Sequence, residues 1–307
     1  MKSISPEYTI RSFEESDMPL LGDLYQAVTA RDNAVFWWVG EPPNWHNVYC
    51  AFENNRMIGK GQIEVTSTIH PQQPEEYKHT IYINIKTVPE REVDTALLEA
   101  LYQPLLSRAI ELQKTLSTTH ETMLCIGNHS SETANISFFK DKGYSYLQSL
   151  FHMERNLLQP LPGLTLPSEL QFDYWKMATT AEEQQYLNID AEIWPEAPIG
   201  SNKLAENKKQ PLWTAMVVRE YQTMIGGLMA WQEEDEGIIE DVWVREPWRR
   251  RGIARYLLVE GLKYLQSHSL EKASLTVLTD NHSALSLYES AGFQIMNEEV
   301  RYGIVLV

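Results

Sequence analysis

Apolar positions change their period several times along the chain, and each change marks an element. Residues 8–13 alternate as a first strand does, and 17–28 carry apolar side chains at helical spacing behind a cap near Ser16. Alternation returns at 48–52 and 57–65, on either side of Asn54-Asn55, a pair that tolerates positive φ and so predicts a hairpin. An isoleucine-rich strand is expected at 81–88. Leu97, Leu101, Leu105 and Leu112 then recur with helical period within 93–116, where Pro104 predicts a kink. A short strand at 123–126 and a helix at 136–142, closed by Gly143, follow. Trp37, Trp38, Pro42, Pro43 and Trp45 form an aromatic loop, read as packing because aromatic rings are mostly buried.

Residues 159–167 contain three prolines and a glycine, with little that could pair. They predict a linker, after which the pattern repeats. A strand is expected around 172–177, a helix near 181–193, a proline-rich segment at Pro195 and Pro198, and a hairpin of 213–218 with 224–231. Met57-Ile58-Gly59 is echoed by Met224-Ile225-Gly226, and Lys142-Gly143-Tyr144 by Ala291-Gly292-Phe293, in the same order. These echoes suggest two copies of one α/β module, residues 1–158 and 169–307, joined by 159–168.

Composition narrows the class. The chain has 307 residues, 43% of them hydrophobic and 22% charged, which suits a globular protein of two domains. A formal net charge of -16 argues against general nucleic-acid binding, since most of the surface would repel a polyanion. Cys50 and Cys125 provide no disulfide framework. No apolar run approaches the roughly 20 residues of a membrane span, and residues 1–10 lack a signal-peptide core. A cytoplasmic protein without membrane attachment is the expectation.

Candidate chemistry concentrates at 242–254, V-W-V-R-E-P-W-R-R-R-G-I-A. A β-branched strand, 238–244, ends there. A loop with three arginines and a glycine then opens an amphipathic helix on Leu257, Leu258, Gly261, Leu262 and Leu265. A helix N-terminus carries N–H groups without partners and the positive end of the helix dipole, so this is a built anion site. A parallel strand is expected at 273–278, and after it comes Asn281-x-x-Ala284-x-x-x-Tyr288-x-x-x-Gly292-Phe293. Ala284, Tyr288 and Ala291 share one helical face, which turns Tyr288 toward the sheet.

Arg249-x-x-Gly252-x-Ala254, together with the Asn281 to Phe293 pattern, resembles the GNAT superfamily of N-acetyltransferases. The layout of the whole chain is similar to the mycothiol synthases, which are tandem members of that superfamily. The resemblance implies two tandem modules of α/β (α+β) class, each a mixed, mostly antiparallel twisted sheet flanked by helices. It implies acetyl-CoA as co-substrate and no metal. The cofactor would lie where strand 238–244 splays from 273–278, bonded to the backbone along Val242, Trp243 and Val244. Its pyrophosphate would rest on Arg249, Arg250, Arg251, Gly252, Ile253 and Ala254, with Arg245 and Arg255 adding attraction. Asn281, Ala284 and Tyr288 would border the thioester, with Tyr288 as general acid toward the thiolate. Glu240 is the candidate proton acceptor, because strict alternation puts it on the face of Val242 and Val244; Asp241 would face away and be structural.

The first half departs from this pattern. Its loop, Pro89-Glu90-Arg91-Glu92-Val93-Asp94, is shorter, lacks the glycine and carries three carboxylates. Phe139 stands where Tyr288 stands, counted back from Gly143 and Gly292, and phenylalanine has no proton to donate. Residues 1–158 are therefore expected to be a degenerate module. The expected activity is acetylation of a small-molecule amine by direct attack in the second module. A protein or peptide N-terminus is the other acceptor class, and a non-catalytic acyl-CoA sensor the reading from a different class.

Overall fold

The structure, a computed structural model, describes residues 8–30, 34–195 and 198–307. Most of the stretch read as lacking a signal-peptide core, residues 1–7, and the centre of the Pro195 to Pro198 segment, residues 196–197, lie outside the described residues. The first half of the chain forms β1 (Thr9–Ser12), α1 (Met18–Thr29), β2 (Val48–Glu53), β3 (Arg56–Ser67), β4 (His79–Thr87), α2 (Thr95–Gln113), β5 (Thr122–His129), α3 (Thr133–Asp141) and β6 (Ser145–Asn156). The second forms β7 (Leu170–Trp175), α4 (Thr180–Ile193), α5 (Gly200–Asn207), β8 (Thr214–Glu220), β9 (Thr223–Glu233), β10 (Glu236–Val244), α6 (Ile253–Ser267), β11 (Lys272–Leu278), α7 (His282–Ser290) and β12 (Gln294–Val305).

Two compact units result, one ending its first segment at Ser149 and completed by Asn297–Val307, the other Leu150–Met296. In the first, β1, β2, β3 and β4 pair antiparallel in that order, β4 and β5 pair parallel, and β5 pairs antiparallel with 299–305 of β12. The second repeats the scheme. There β7, β8, β9 and β10 run antiparallel, β10 and β11 parallel, and β11 antiparallel to 150–156 of β6. A parallel pair needs a crossover connection, and in each unit one long helix, α2 or α6, supplies it.

Each unit thus closes its sheet with the last strand of the other half of the sequence. The compact units therefore differ from the sequential halves 1–158 and 169–307, which we retain as the proposed repeat modules. Residues 159–167, the expected linker, contain no helix or strand. Asn54 and Asn55 take φ of 49° and 61°, as the β2–β3 hairpin requires. α1 starts later than the Ser16 cap suggests: Asp17, buried against Arg11 at 2.6 and 2.7 Å, forms a capping box with Glu14 and spends its side chain there. α2 continues through Pro104. Leu97, Leu101 and Leu105 of α2, and Leu257, Leu258, Leu262 and Leu265 of α6, are fully buried in their units' cores, each such burial stabilising by roughly 1.5–3 kcal/mol.

Candidate active site

β10 and β11 are in register only at Gly237 with Ala273 and Ile238 with Ser274. Beyond that point β10 runs on to Val244 and β11 to Leu278. The strands splay, and the backbone of β10 facing the opening has no strand partner among the described residues, which is the notch expected for an extended ligand. On its other edge β10 shifts register against β9 between Glu240 and Trp243, and Asp241, with φ of 53°, is the inserted residue. A bulge of this kind re-aims the side chains that follow it. Ile239, Val242 and Val244 consequently pack in the core beneath α6, while Ile238 and Trp243 pack with α4 and α5.

This corrects the expectation for Glu240. The inserted residue breaks strict alternation, so Glu240 lies on the face of Ile238 and Trp243 rather than with Val242 and Val244. It is half-buried there, and burial, reinforced by the neighbouring Asp241 charge and opposed by Lys203 of α5, pushes its carboxyl up to about 7. The Asp241 carboxylate accepts the hydroxyl of Tyr186 on α4 and is itself raised by burial. Asp190, one helical turn after Tyr186 and 2% exposed, accepts the Ile199 N–H at 2.7 Å and is pushed up to about 6, chiefly by burial. Burial and then the charge of Asp241 raise the Tyr186 hydroxyl beyond its ordinary range. Tyr186 and Asp190 were not singled out in the sequence. Their signal was present, since Tyr186, Ile189 and Asp190 fall at i, i+3 and i+4 on the buried face of α4.

The arginine loop follows β10 through a 3-10 turn at Glu246–Trp248. Gly252 then sits at φ of 79° as the residue before α6, a left-handed conformation that favours glycine, and a Cβ built there meets nothing within 4 Å. The open space beside it is bounded by the first N–H groups of α6, which have no intrahelical acceptor. The four arginines from 249 to 255 and Arg245 are employed unequally. Arg249 Nε donates to the Val244 carbonyl at 3.0 Å, taking one of the backbone groups assigned to the cofactor. Arg251 lies 3.7 Å from Glu169 and 3.8 Å from Glu220, and Arg245 is committed to Glu192 and the Met224 carbonyl. Arg250 and Arg255 are exposed and make no ion pair among the described residues. An open cradle, amides with no intrahelical acceptor and two guanidinium groups without an ion pair among the described residues fit a phosphate.

On α7, Asn281 is the cap: its Oδ1 accepts the Ala284 N–H at 3.1 Å and the Ser283 hydroxyl at 3.1 Å. Only its amide NH₂ is left for a ligand. Tyr288 is 8% exposed, packed edge-on against Phe293, and its hydroxyl has no hydrogen-bond partner among the described residues. Burial, with a further contribution from the Asp241 charge, pushes that hydroxyl up to about 12, so it holds its proton at neutral pH.

The corresponding features of the first unit are filled by its own side chains. Asp94, the residue before α2, accepts the Leu97 N–H at 3.0 Å and occupies the anion position with its carboxylate. Past the β4–β5 pairing, Lys86 reaches Asn128 at 2.9 Å, Asn128 reaches Asn135 at 3.1 Å, and Asn135 donates to the Ile85 carbonyl at 2.9 Å. Phe139 is buried in the core. Elsewhere in the second unit, His152, Glu154 and Glu236 come near enough to share a metal ion, but the Lys272 ammonium already stands against both glutamates.

Residues 173–293 match the acetyltransferase (GNAT) family. The mycothiol acetyltransferase of Acidothermus cellulolyticus is 25% identical over 183 residues, 52% of this chain and 55% of that protein. That of Thermobifida fusca is 35% identical over 164 residues, 48% of this chain and 51% of that protein. The chain thus aligns with about half the length of these relatives. In fold it is similar to a GCN5-related N-acetyltransferase from Sphaerobacter thermophilus, with a TM-score of 0.75 at 16% identity over 99% of this chain and 97% of that one. It is also similar to a tandem GNAT protein from the clavulanic acid biosynthesis pathway, with a TM-score of 0.69 at 11% identity over 98% and 99%. The family match lies across the notch, the arginine loop and α7, so residues 173–293 carry the GNAT acetyltransferase domain, and the similarity in fold extends over both halves of the chain.

Proposed function

We propose that the second half of the chain transfers an acetyl group from acetyl-CoA to an amine of a small molecule. The observation that carries this reading is the Tyr288 hydroxyl, protonated and without a hydrogen-bond partner among the described residues, in the same unit as an open anion cradle. Acetyl-CoA supplies the activated acetyl group as a thioester. Amides at the start of α6, with Arg250 and Arg255, hold its phosphates, and the backbone of β10 along Val242 to Val244 that is not taken by Arg249 orients its arm. Glu240, titrating near neutrality, takes the proton lost by the attacking amine. Tyr288 donates its proton to the departing thiolate, and the two transfers leave the protein's total proton count unchanged. The relatives named mycothiol acetyltransferase support a small-molecule acceptor. The first half is read as a degenerate module without a cofactor of its own.

Release of free CoA from acetyl-CoA, measured against a panel of small amines and of peptides with free N-termini, tests the proposal. Amine-dependent release with small molecules is the expected result. Release only with peptides moves the acceptor to the other class. Tight acetyl-CoA binding with no release under any condition points to a sensor.

A further inference from the structure

Arg155 of β6 is an unusual group to find inside a protein core: it is 6% exposed and has no carboxylate partner among the described residues. Its Nη1 donates to the Ala291 carbonyl at the end of α7, its Nη2 to the Pro160 carbonyl at 3.1 Å, and its Nε has no partner among the described residues. Burying a guanidinium without a counter-charge is costly. What it meets is the negative end of a helix dipole and one of that helix's orphan carbonyls. Gly292 confirms how close this contact is. At φ of 87° it already favours glycine, and a Cβ there would come within 1.7 Å of Arg155 Nη1.

The first unit supplies an internal control. Counted from Gly143 and Gly292, Arg155 on β6 corresponds to Ile304 on β12, and Phe139 on α3 corresponds to Tyr288 on α7. A Cβ built at Gly143, at φ of 89°, would meet only Ile304 Cδ1, at 3.6 Å, among the described residues. The same fold therefore closes this helix end with an isoleucine where the helix carries Phe139, and with a buried arginine where it carries Tyr288. Packing alone does not require the charge.

We infer that Arg155 is a positioning residue for Tyr288: by fixing the C-terminal end of α7 it sets where the Tyr288 hydroxyl stands. Because β6 belongs to the first half of the sequence, the degenerate half contributes directly to the second unit's site. This inference rests on Tyr288 being the proton donor, as proposed above.

Two measurements on the full chain test it, with Arg155→Lys as the milder variant and Arg155→Met as the stronger. In protein labelled with ¹³C at tyrosine Cζ, the Tyr288 signal is identified by its loss in Tyr288→Phe. That signal shifts in Arg155→Lys while acetyl-CoA affinity stays within about twofold of the parent; an unmoved Tyr288 signal overturns the inference whether or not the chain turns over. With methylamine as probe acceptor, Arg155→Lys lowers kcat by about tenfold or more in the parent, and by under about threefold in a Tyr288→Phe background, because the coupled group is already gone. An equal loss in both backgrounds overturns it. If Tyr288→Phe itself leaves kcat unchanged, the proposed role of Tyr288 fails, while the ¹³C result still decides whether Arg155 positions that ring.

Discussion

Asp94 and Gly252 occupy the same place in the two halves, each the last residue before the crossover helix, and they treat the helix N-terminus in opposite ways. Asp94 closes it with its own carboxylate on the Leu97 N–H at 3.0 Å, whereas Gly252, at φ of 79°, leaves the first amides of α6 open. The chain should therefore bind one acetyl-CoA. Calorimetric titration should give a stoichiometry of one, and Asp94→Gly should not add a second site, since Lys86, Asn128 and Asn135 still fill the opening beside β4. Two equivalent sites in the parent would contradict this.

Gly252→Asp should remove acetyl-CoA binding while the chain stays folded. The new side chain enters open space, so the cost in stability is that of a left-handed backbone conformation in a non-glycine residue, on the order of 1 kcal/mol. Its carboxylate would repel the phosphates and compete for the α6 amides. Thermal unfolding and calorimetry on the same sample separate the two effects. A folded variant with the parent's affinity would place the pyrophosphate elsewhere.

Glu240 predicts a pH dependence. Its carboxyl is held up near 7, so the ionised, proton-accepting form declines as pH falls through 7, and the rate of amine acetylation should fall with it at unit slope. Glu240→Gln should abolish that acidic limb. The sign for stability is opposite: the folded-state value exceeds the unfolded one, so charging Glu240 costs stability above about 7, and the cost fades toward pH 5. Glu240→Gln should accordingly raise Tm at pH 8 and less so at pH 5. A parent rate independent of pH between 6 and 8 would remove Glu240 from the proton transfer.

Much of this site was legible because its parts are local. The strand, the glycine at positive φ, the leucine face of α6 and the Asn281 to Phe293 pattern each declare themselves within a few residues. Three things did not. The bulge at Asp241 is a single residue inserted against β9, with nothing in Glu240-Asp241-Val242 to announce it, and it reversed the face of Glu240. β6 and β12 were missed as strands because they lack a clean buried-exposed alternation. Their exchange between units is a long-range pairing that local pattern does not encode. α5, a short helix just beyond Pro198, was hidden by its proline-rich approach.

The account rests most directly on the Tyr288 hydroxyl, and kcat of Tyr288→Phe is the measurement that tests it. The substitution keeps the buried ring and its packing against Phe293 and removes one hydroxyl that has no partner to lose among the described residues. With an acceptor amine in hand, kcat should fall by roughly 10²-fold or more, as for a lost general acid, with acetyl-CoA affinity little changed. Unchanged kcat in a folded Tyr288→Phe chain would contradict the mechanism.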